Sequence, residues 1–142
     1  MFRVFPLLLI SVVIYNLLAL AHGFASPGEM NAFLTANGAV FTMFSGDVWH
    51  FTLSDLLLLV SLVLLFVEVI KATRSTQREM LNHGLSLLTF IIALVEFIVL
   101  KGFSTSTYFF ITLMTAFDAV AGYSITAAAA RYSLGIGKVA AD

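Results

Sequence analysis

Leu53-Ser-Asp-Leu-Leu-Leu-Leu-Val-Ser-Leu-Val-Leu-Leu-Phe-Val-Glu-Val-Ile70 and Leu81-Asn-His-Gly-Leu-Ser-Leu-Leu-Thr-Phe-Ile-Ile-Ala-Leu-Val-Glu-Phe-Ile-Val-Leu100 face each other across Lys71-Ala-Thr-Arg-Ser-Thr-Gln-Arg-Glu79. Each apolar run is close to the ~20 residues an α-helix needs to cross ~30 Å of hydrocarbon. A helix satisfies its own backbone hydrogen bonds, and lipid offers no substitute for them. The pair therefore predicts a transmembrane helical hairpin with Lys71, Arg74 and Arg78 at its tip. Three of the chain's seven Lys and Arg lie there, and basic short loops remain on the cytoplasmic side.

Working outward, the whole composition agrees. Hydrophobic residues make up 61% and charged residues 11% of 142 residues, against roughly 45–50% and ~25% in soluble domains. That length suits one bundle, spanning 1–142. The net charge of −1 gives no reason to expect nucleic acid or an acidic substrate. The absence of cysteine removes disulfides, thiolate nucleophiles and Cys-ligated metals together.

Towards the N-terminus, Met1-Phe-Arg3 leads into an apolar run to about Ala21. A secretory signal is the competing reading, but signal cores run roughly 7–15 residues and this one is longer, so it is read as an uncleaved first span. Residues 22–51 contain no Lys or Arg, as expected of a non-cytoplasmic loop. Within it Ser26-Pro-Gly-Glu29 is a capping box with proline in the first turn, and Asn37-Gly38 is a stop signal. Met30, Phe33 and Leu34 share one face, which predicts a short helix on the membrane surface. The β-rich runs 39–44 and 48–52 flank Ser45-Gly46-Asp47 and predict a β-hairpin with a three-residue turn. Trp49 and its neighbouring Phe residues suit an interfacial aromatic belt.

Thr52-Leu-Ser-Asp55 and Thr76-Gln-Arg-Glu79 predict the caps of the second and third spans. Past Lys101-Gly102, a fourth apolar run starts at about residue 105 and closes at Arg131. The expected fold is an all-α membrane protein: a four-transmembrane-helix bundle with a short extracytoplasmic helix and β-hairpin cap between spans one and two. The spans are predicted at 4–22, 53–71, 79–101 and 105–131, the cap at 23–51 and a tail at 132–142. Both termini are then cytoplasmic.

The segments Ser45-Gly-Asp-Val-Trp-His-Phe-Thr-Leu-Ser-Asp55, His83-Gly-Leu-Ser-Leu-Leu, Leu94-Val-Glu-Phe97 and Asp118-Ala-Val-Ala-Gly-Tyr together resemble small uncharacterised four-span inner-membrane proteins of proteobacteria. The resemblance covers roughly residues 39–131. It implies a bacterial inner-membrane location and no activity.

Ionisable groups inside the spans cost about 2.5–3.5 kcal/mol each at a helix centre, so they need a reason to be there. Asp55 belongs to its capping box. Glu68 can snorkel to Lys71 or Arg74, and Glu96 towards Lys101. His83, across the hairpin from Glu68, is either a satisfied interfacial histidine or a group that titrates near neutral pH. Glu68, His83 and Glu96 are the candidate groups at the bundle's two mouths. Periodicity places Ser54, Ser61 and Glu68 on one face, Ser86, Thr89, Ala93 and Glu96 on a second, and Thr115, Asp118, Gly122 and Thr126 on a third. Such stripes of small and polar residues are the packing seam of membrane helices. Asp118, counted to mid-span and remote from any basic residue, is expected beside Ser61 and Thr89, with Ser11 or Tyr15 also possible. It is either the centre of a structural polar layer, the favoured reading, or a proton or cation relay.

Enzyme signatures are absent: there is no Gly-x-Ser-x-Gly, no His-Glu-x-x-His and no Gly-rich phosphate loop. His22 and His50 with Glu29 or Asp47 form a weak metal pattern, and neither a cofactor nor a resident metal is expected. The expected function is that of a non-enzymatic membrane subunit or accessory protein that docks partners or copies of itself. The alternative is a small proton- or cation-coupled transporter or channel. The expected partners are the lipid bilayer and a homo-oligomer or larger membrane complex.

Overall fold

The computed structural model describes residues 5–36, 38–72 and 77–139, the side chains of 77–80, 125, 126 and 128–139 excepted. In chain order these form α1 (Leu8–Ala21), α2 (Pro27–Thr35), β1 (Ala39–Thr42), β2 (Val48–Phe51), α3 (Leu53–Ala72), α4 (Gln77–Val99) and α5 (Ser106–Val139). Mostly helical, with one small β-hairpin, the architecture has the predicted outline. Helices α1, α3, α4 and α5 pack together, α5 most extensively against α3 and α4.

Two helices are long and apolar enough to cross a membrane by length and composition: α3, and α4 from Leu81 to Val99. Only 17% and 22% of their apolar windows are buried inside the fold, unlike the core helices of a water-soluble protein. Side chains such as Leu62, Phe66, Leu88, Val95 and Ile98 point outward. Of the expected first span, 4–22, residue 4 lies outside the described residues; the helix within it, Leu8–Ala21, has 14 residues, a rise of about 21 Å. Its start is limited by Pro6, which disfavours helix in the preceding residue. Its end is fixed by the left-handed pair Gly23 and Phe24, with φ of 62° and 53°. The fourth helix is longer than expected: α5 continues through Arg131 to Val139, 34 residues in all, where a tail from 132 was expected. No proline interrupts it, and lone glycines such as Gly135 cost only about 1 kcal/mol each.

The cap closes one end of the bundle. The α2 capping box forms as the sequence predicts: Glu29 N–H donates to Ser26 Oγ at 3.4 Å, and the Glu29 carboxylate accepts from Ser26 N–H at 2.8 Å. The helix does not lie with its apolar face outward. Met30 and Leu34 are buried in a core with Tyr15, Phe103, Tyr108 and Ile111, while Phe33 packs on the His22 ring at 3.8 Å. Burying Met30 and Leu34 contributes about 1.5–3 kcal/mol each, so packing and not lipid contact holds α2. Gly102, with φ 87°, makes the turn into α5. A Cβ there would stand 2.8 Å from the Ala25 carbonyl oxygen, so the 101–103 loop and the chain before α2 require glycine at their contact.

The hairpin pairs Ala39 with Phe51, Val40 with His50, Phe41 with Trp49 and Thr42 with Val48. Met43 N–H donates to Asp47 O at 2.8 Å, which leaves Phe44, Ser45 and Gly46 as the turn, three residues as predicted and one position earlier than Ser45-Gly-Asp47. Thr52 and Asp55 form the expected cap of α3, with Thr52 N–H donating to Asp55 Oδ2 at 2.8 Å. The Thr76 cap expected for α4 lies outside the described residues.

The Ser26 hydroxyl and backbone N–H hold the Glu29 carboxyl below the usual carboxylate range, with a smaller contribution from Lys101. The folded value is depressed, so this contribution is present above the unfolded value and is lost as pH falls through the folded one. Ser26→Ala removes the hydroxyl and keeps the backbone N–H, so it is expected to raise the Glu29 midpoint part of the way to the ordinary range and to speed amide exchange across 27–35 several-fold. Carboxyl-resolved NMR titration and hydrogen exchange read both, and an unchanged midpoint refutes the assignment.

Candidate functional site

Polar side chains line the inside of the bundle from one end to the other, and the register of the helices decides which of them meet. Antiparallel α4 and α5 bring Glu96 to Tyr108, Ser86 to Asp118 and His83 to Gly122. Parallel α3 and α5 meet at Ser54 and Thr107, whose hydroxyls are 2.7 Å apart. Counting from that contact at 1.5 Å per residue places Glu68 only about 5 Å deeper along the axis than Asp118.

At the end near the 71–79 linker, Glu68 is the organising group, with 1% of its surface exposed. Its carboxylate accepts from Lys71 Nζ at 3.1 and 2.9 Å, from Asn82 Nδ2 on α4 and from the Leu7 N–H at 3.2 Å. Leu7 caps α1, whose first turn has no side-chain cap of its own. A carboxylate at that positive helix end satisfies an orphan donor and complements the helix dipole. Lys71 also donates to Phe5 O at 3.2 Å. The expected Glu68–Lys71 pair is present, and it ties α1, α3 and α4 together. Arg74 lies outside the described residues.

One turn away stands Asp118, 4% exposed. Its neighbours are Ser86 on α4 and, at longer range, Glu68 and Lys71. The expected grouping with Ser61 and Thr89 is therefore corrected. The Ser61 hydroxyl donates to Leu57 O at 2.7 Å and the Thr89 hydroxyl to Leu85 O at 2.9 Å, each on its own helix. Both lie about one turn nearer the cap than Asp118, because α3 and α5 are aligned at their cap ends, where Ser54 meets Thr107, and not at their midpoints. Thr112 likewise donates to Tyr108 O at 2.9 Å. Back-bonding to the preceding turn lets a hydroxyl be buried with no partner on another helix. His83 packs against Gly122 so closely that a Cβ at 122 would collide with its ring.

At the cap end, Glu96 is held by Asn16 Nδ2 at 3.0 Å and by the Tyr108 hydroxyl. The reach towards Lys101 expected from sequence is replaced by these two partners, which are nearer the bundle axis. Tyr15 continues the network, with its hydroxyl 2.6 Å from Thr105 Oγ1 and donating to Gly102 O at 3.1 Å. The Tyr15 and Tyr108 rings pack at a tilt of 42°, 4.5 Å between centroids. Asn16 and Asn82, the amides that hold the two glutamates, were not singled out by the sequence reading. The available signal was an Asn inside each apolar run, a placement nearly as costly in lipid as a carboxyl unless a partner waits. His22 packs on Phe33 and His50 lies on β2. Among the described residues no group of three or more His, Cys, Asp or Glu could hold a metal.

Glu68→Ala would strand Lys71 and Asn82 and uncap α1. Losing one partner of a buried pair costs about 3–5 kcal/mol, reduced here because Lys71 is 25% exposed, so a loss of about 2–3 kcal/mol is expected. Glu68→Gln keeps the side chain's size and one accepting oxygen, for Asn82 or for Leu7 but not both, and should lose less. Denaturant titration of the micelle-solubilised protein measures both, and equal losses would refute the account. In comparisons with known proteins, the chain matches no protein family, no curated protein and no solved structure.

Proposed function

We propose that this chain is a bacterial inner-membrane protein in which α1, α3, α4 and α5 form a four-helix transmembrane bundle. The 71–79 linker and both termini face the cytoplasm, and the hairpin stands outside. Its work is non-enzymatic: it is a subunit that docks a protein partner or another copy of itself. The supporting observation is the hairpin, where Val40, Phe41, Met43, Val48 and Trp49 are all at least two-fifths exposed and Phe44 is fully so. A two-stranded hairpin is marginal in isolation, and an apolar patch of this kind marks an interaction surface. The outward apolar faces of α3 and α4 support the membrane placement.

Two measurements test this reading. Cysteines introduced at Ser45 and Ser75 should differ towards an impermeant thiol reagent in intact cells: position 45 labels and position 75 does not. The reverse pattern would overturn the topology. A photo-crosslinking residue at Phe44 should give a discrete protein adduct in native membranes, and adducts with lipid alone would overturn the docking role.

A second reading, proton- or cation-coupled transport, is favoured by one observation. Asp118 is buried beside Ser86 with Glu68 and His83 within about a turn, so a relay would have a next station. On this reading Asp118→Asn keeps the fold and abolishes flux in proteoliposomes. On the docking reading it is nearly silent.

A further inference from the structure

The hairpin has two outer edges, and its ladder decides which backbone groups they offer. Met43 N–H bonds to Asp47 O, and hydrogen-bonded positions alternate along an antiparallel pair. With Phe41 opposite Trp49 and Ala39 opposite Phe51, these odd-numbered residues bond across the hairpin. Val40 and Thr42 on β1, and Val48 and His50 on β2, therefore turn their N–H and C=O groups outward. Among the described residues neither strand packs extensively on a helix, and two strands alone are marginal. A further strand is what such a sheet lacks.

β1 is the less guarded edge. All four of its residues are exposed, and no charged side chain occurs from Met30 to Gly46. Edge strands are ordinarily shielded by charge, proline, a bulge or a covering element, and β1 carries neither charge nor proline. β2 differs: Asp47 precedes it, His50 lies on it, and its last residue, Phe51, is half-buried where the chain enters α3.

Self-complementarity specifies the occupant. A two-fold axis at Phe41 sets Val40 of each copy against Thr42 of the other, so every outward N–H meets a C=O. Identical surfaces bring identical charges together, and an uncharged edge is where this repels nothing. In the proposed membrane placement all copies carry the hairpin on one side and at one level. The aromatic face also continues across the axis. Phe41 lies 5.9 Å from Trp49, and Trp49 5.5 Å from Phe51, between centroids, all on one face of the sheet. The two Phe41 residues meet at a non-hydrogen-bonded position, where side chains come closest.

We infer that two copies of this chain join edge to edge along β1, antiparallel about Phe41, into one four-stranded sheet. The partner in the docking reading, on which this rests, is then a second copy.

The chain has no cysteine, so single cysteines in the full protein, in native membranes under a mild oxidant, report the pairing directly. At the axis the two Cα atoms of position 41 stand about 4.5 Å apart, within disulfide range. The two copies of position 49 stand three strand spacings apart, about 14 Å. Phe41→Cys should give one product of twice the chain's mass, and Trp49→Cys, its equally exposed neighbour, should give none. Val40→Pro removes an outward N–H and leaves the ladder to β2 whole. It should weaken dimerisation in micelles at least tenfold, with unchanged emission from Trp49, the chain's one tryptophan. Equal linking at 41 and 49, linking at 49 alone, or none at 41 overturns the pairing. If Val40→Pro shifts the emission, the two cysteine variants decide. Phe44 photoadducts with a different protein, without linking at 41, leave docking standing and remove the second copy. Adducts with lipid alone remove both.

Discussion

A carboxylate taken out of water must be given back its hydrogen bonds, and Glu68 receives them from three helices at once. Lys71 comes from its own helix, Asn82 from α4 and the Leu7 N–H from the start of α1. Asn82 and the Leu7 N–H depend on that carboxylate in turn, while Lys71 also reaches Phe5 O. This mutual dependence fixes the rotation of α3, and with it the face that Ser54 and Ser61 present to α5. It also fixes the level at which α1 begins. At the other end Glu96 performs the same service for Asn16 and Tyr108. Two carboxylates, one near each end, thereby set the register of a bundle whose outer surface is too uniformly apolar to specify any.

Between these ends the interior is more polar than the exterior. Ser11, Ser61, Ser86, Thr89, Thr112 and Thr115 are buried, while Leu, Ile, Val and Phe side chains of α3 and α4 face outward. Water would drive the opposite arrangement. Small hydroxyl residues allow close helix approach, and Gly122 against the His83 ring shows how close that approach becomes. The hydroxyls largely bond to their own helices, so they shape the seam without stitching it. The stitching falls to the glutamates, asparagines and tyrosines.

Local signals in the sequence were easy to read because the physics that produces them is local. The Ser26-Glu29 and Thr52-Asp55 caps, the extent of α3 and α4, and the hairpin about Ser45–Asp47 all rest on contacts within a few residues. Polar stripes were legible as faces for the same reason. What could not be read was the pairing between faces. Placing Asp118 beside Thr89 and not Ser86 is an error of one helical turn, and it arises because a helix's length in sequence does not fix its offset against a neighbour. Asn82 was overlooked because its role exists only when Glu68, on another helix, arrives beside it. The reach of α5 to Val139 was hidden by Arg131, a charge that reads as a boundary in lipid but is a good helix former in itself.

The brevity of α1 has a consequence for the surroundings of the bundle. Its 14 residues rise about 21 Å, whereas the 20 of α3 rise about 30 Å, the thickness of a typical hydrocarbon layer. Set in a bilayer, the side of the bundle that α1 covers is some 9 Å short of the side formed by α3. Hydrophobic mismatch of that size is relieved by local thinning, by tilt or by covering the short face, each at fractions of a kcal/mol per ångström. The protein would then deform the membrane asymmetrically. The thinned flank would be the place where a neighbour with an equally short helix gains most by settling.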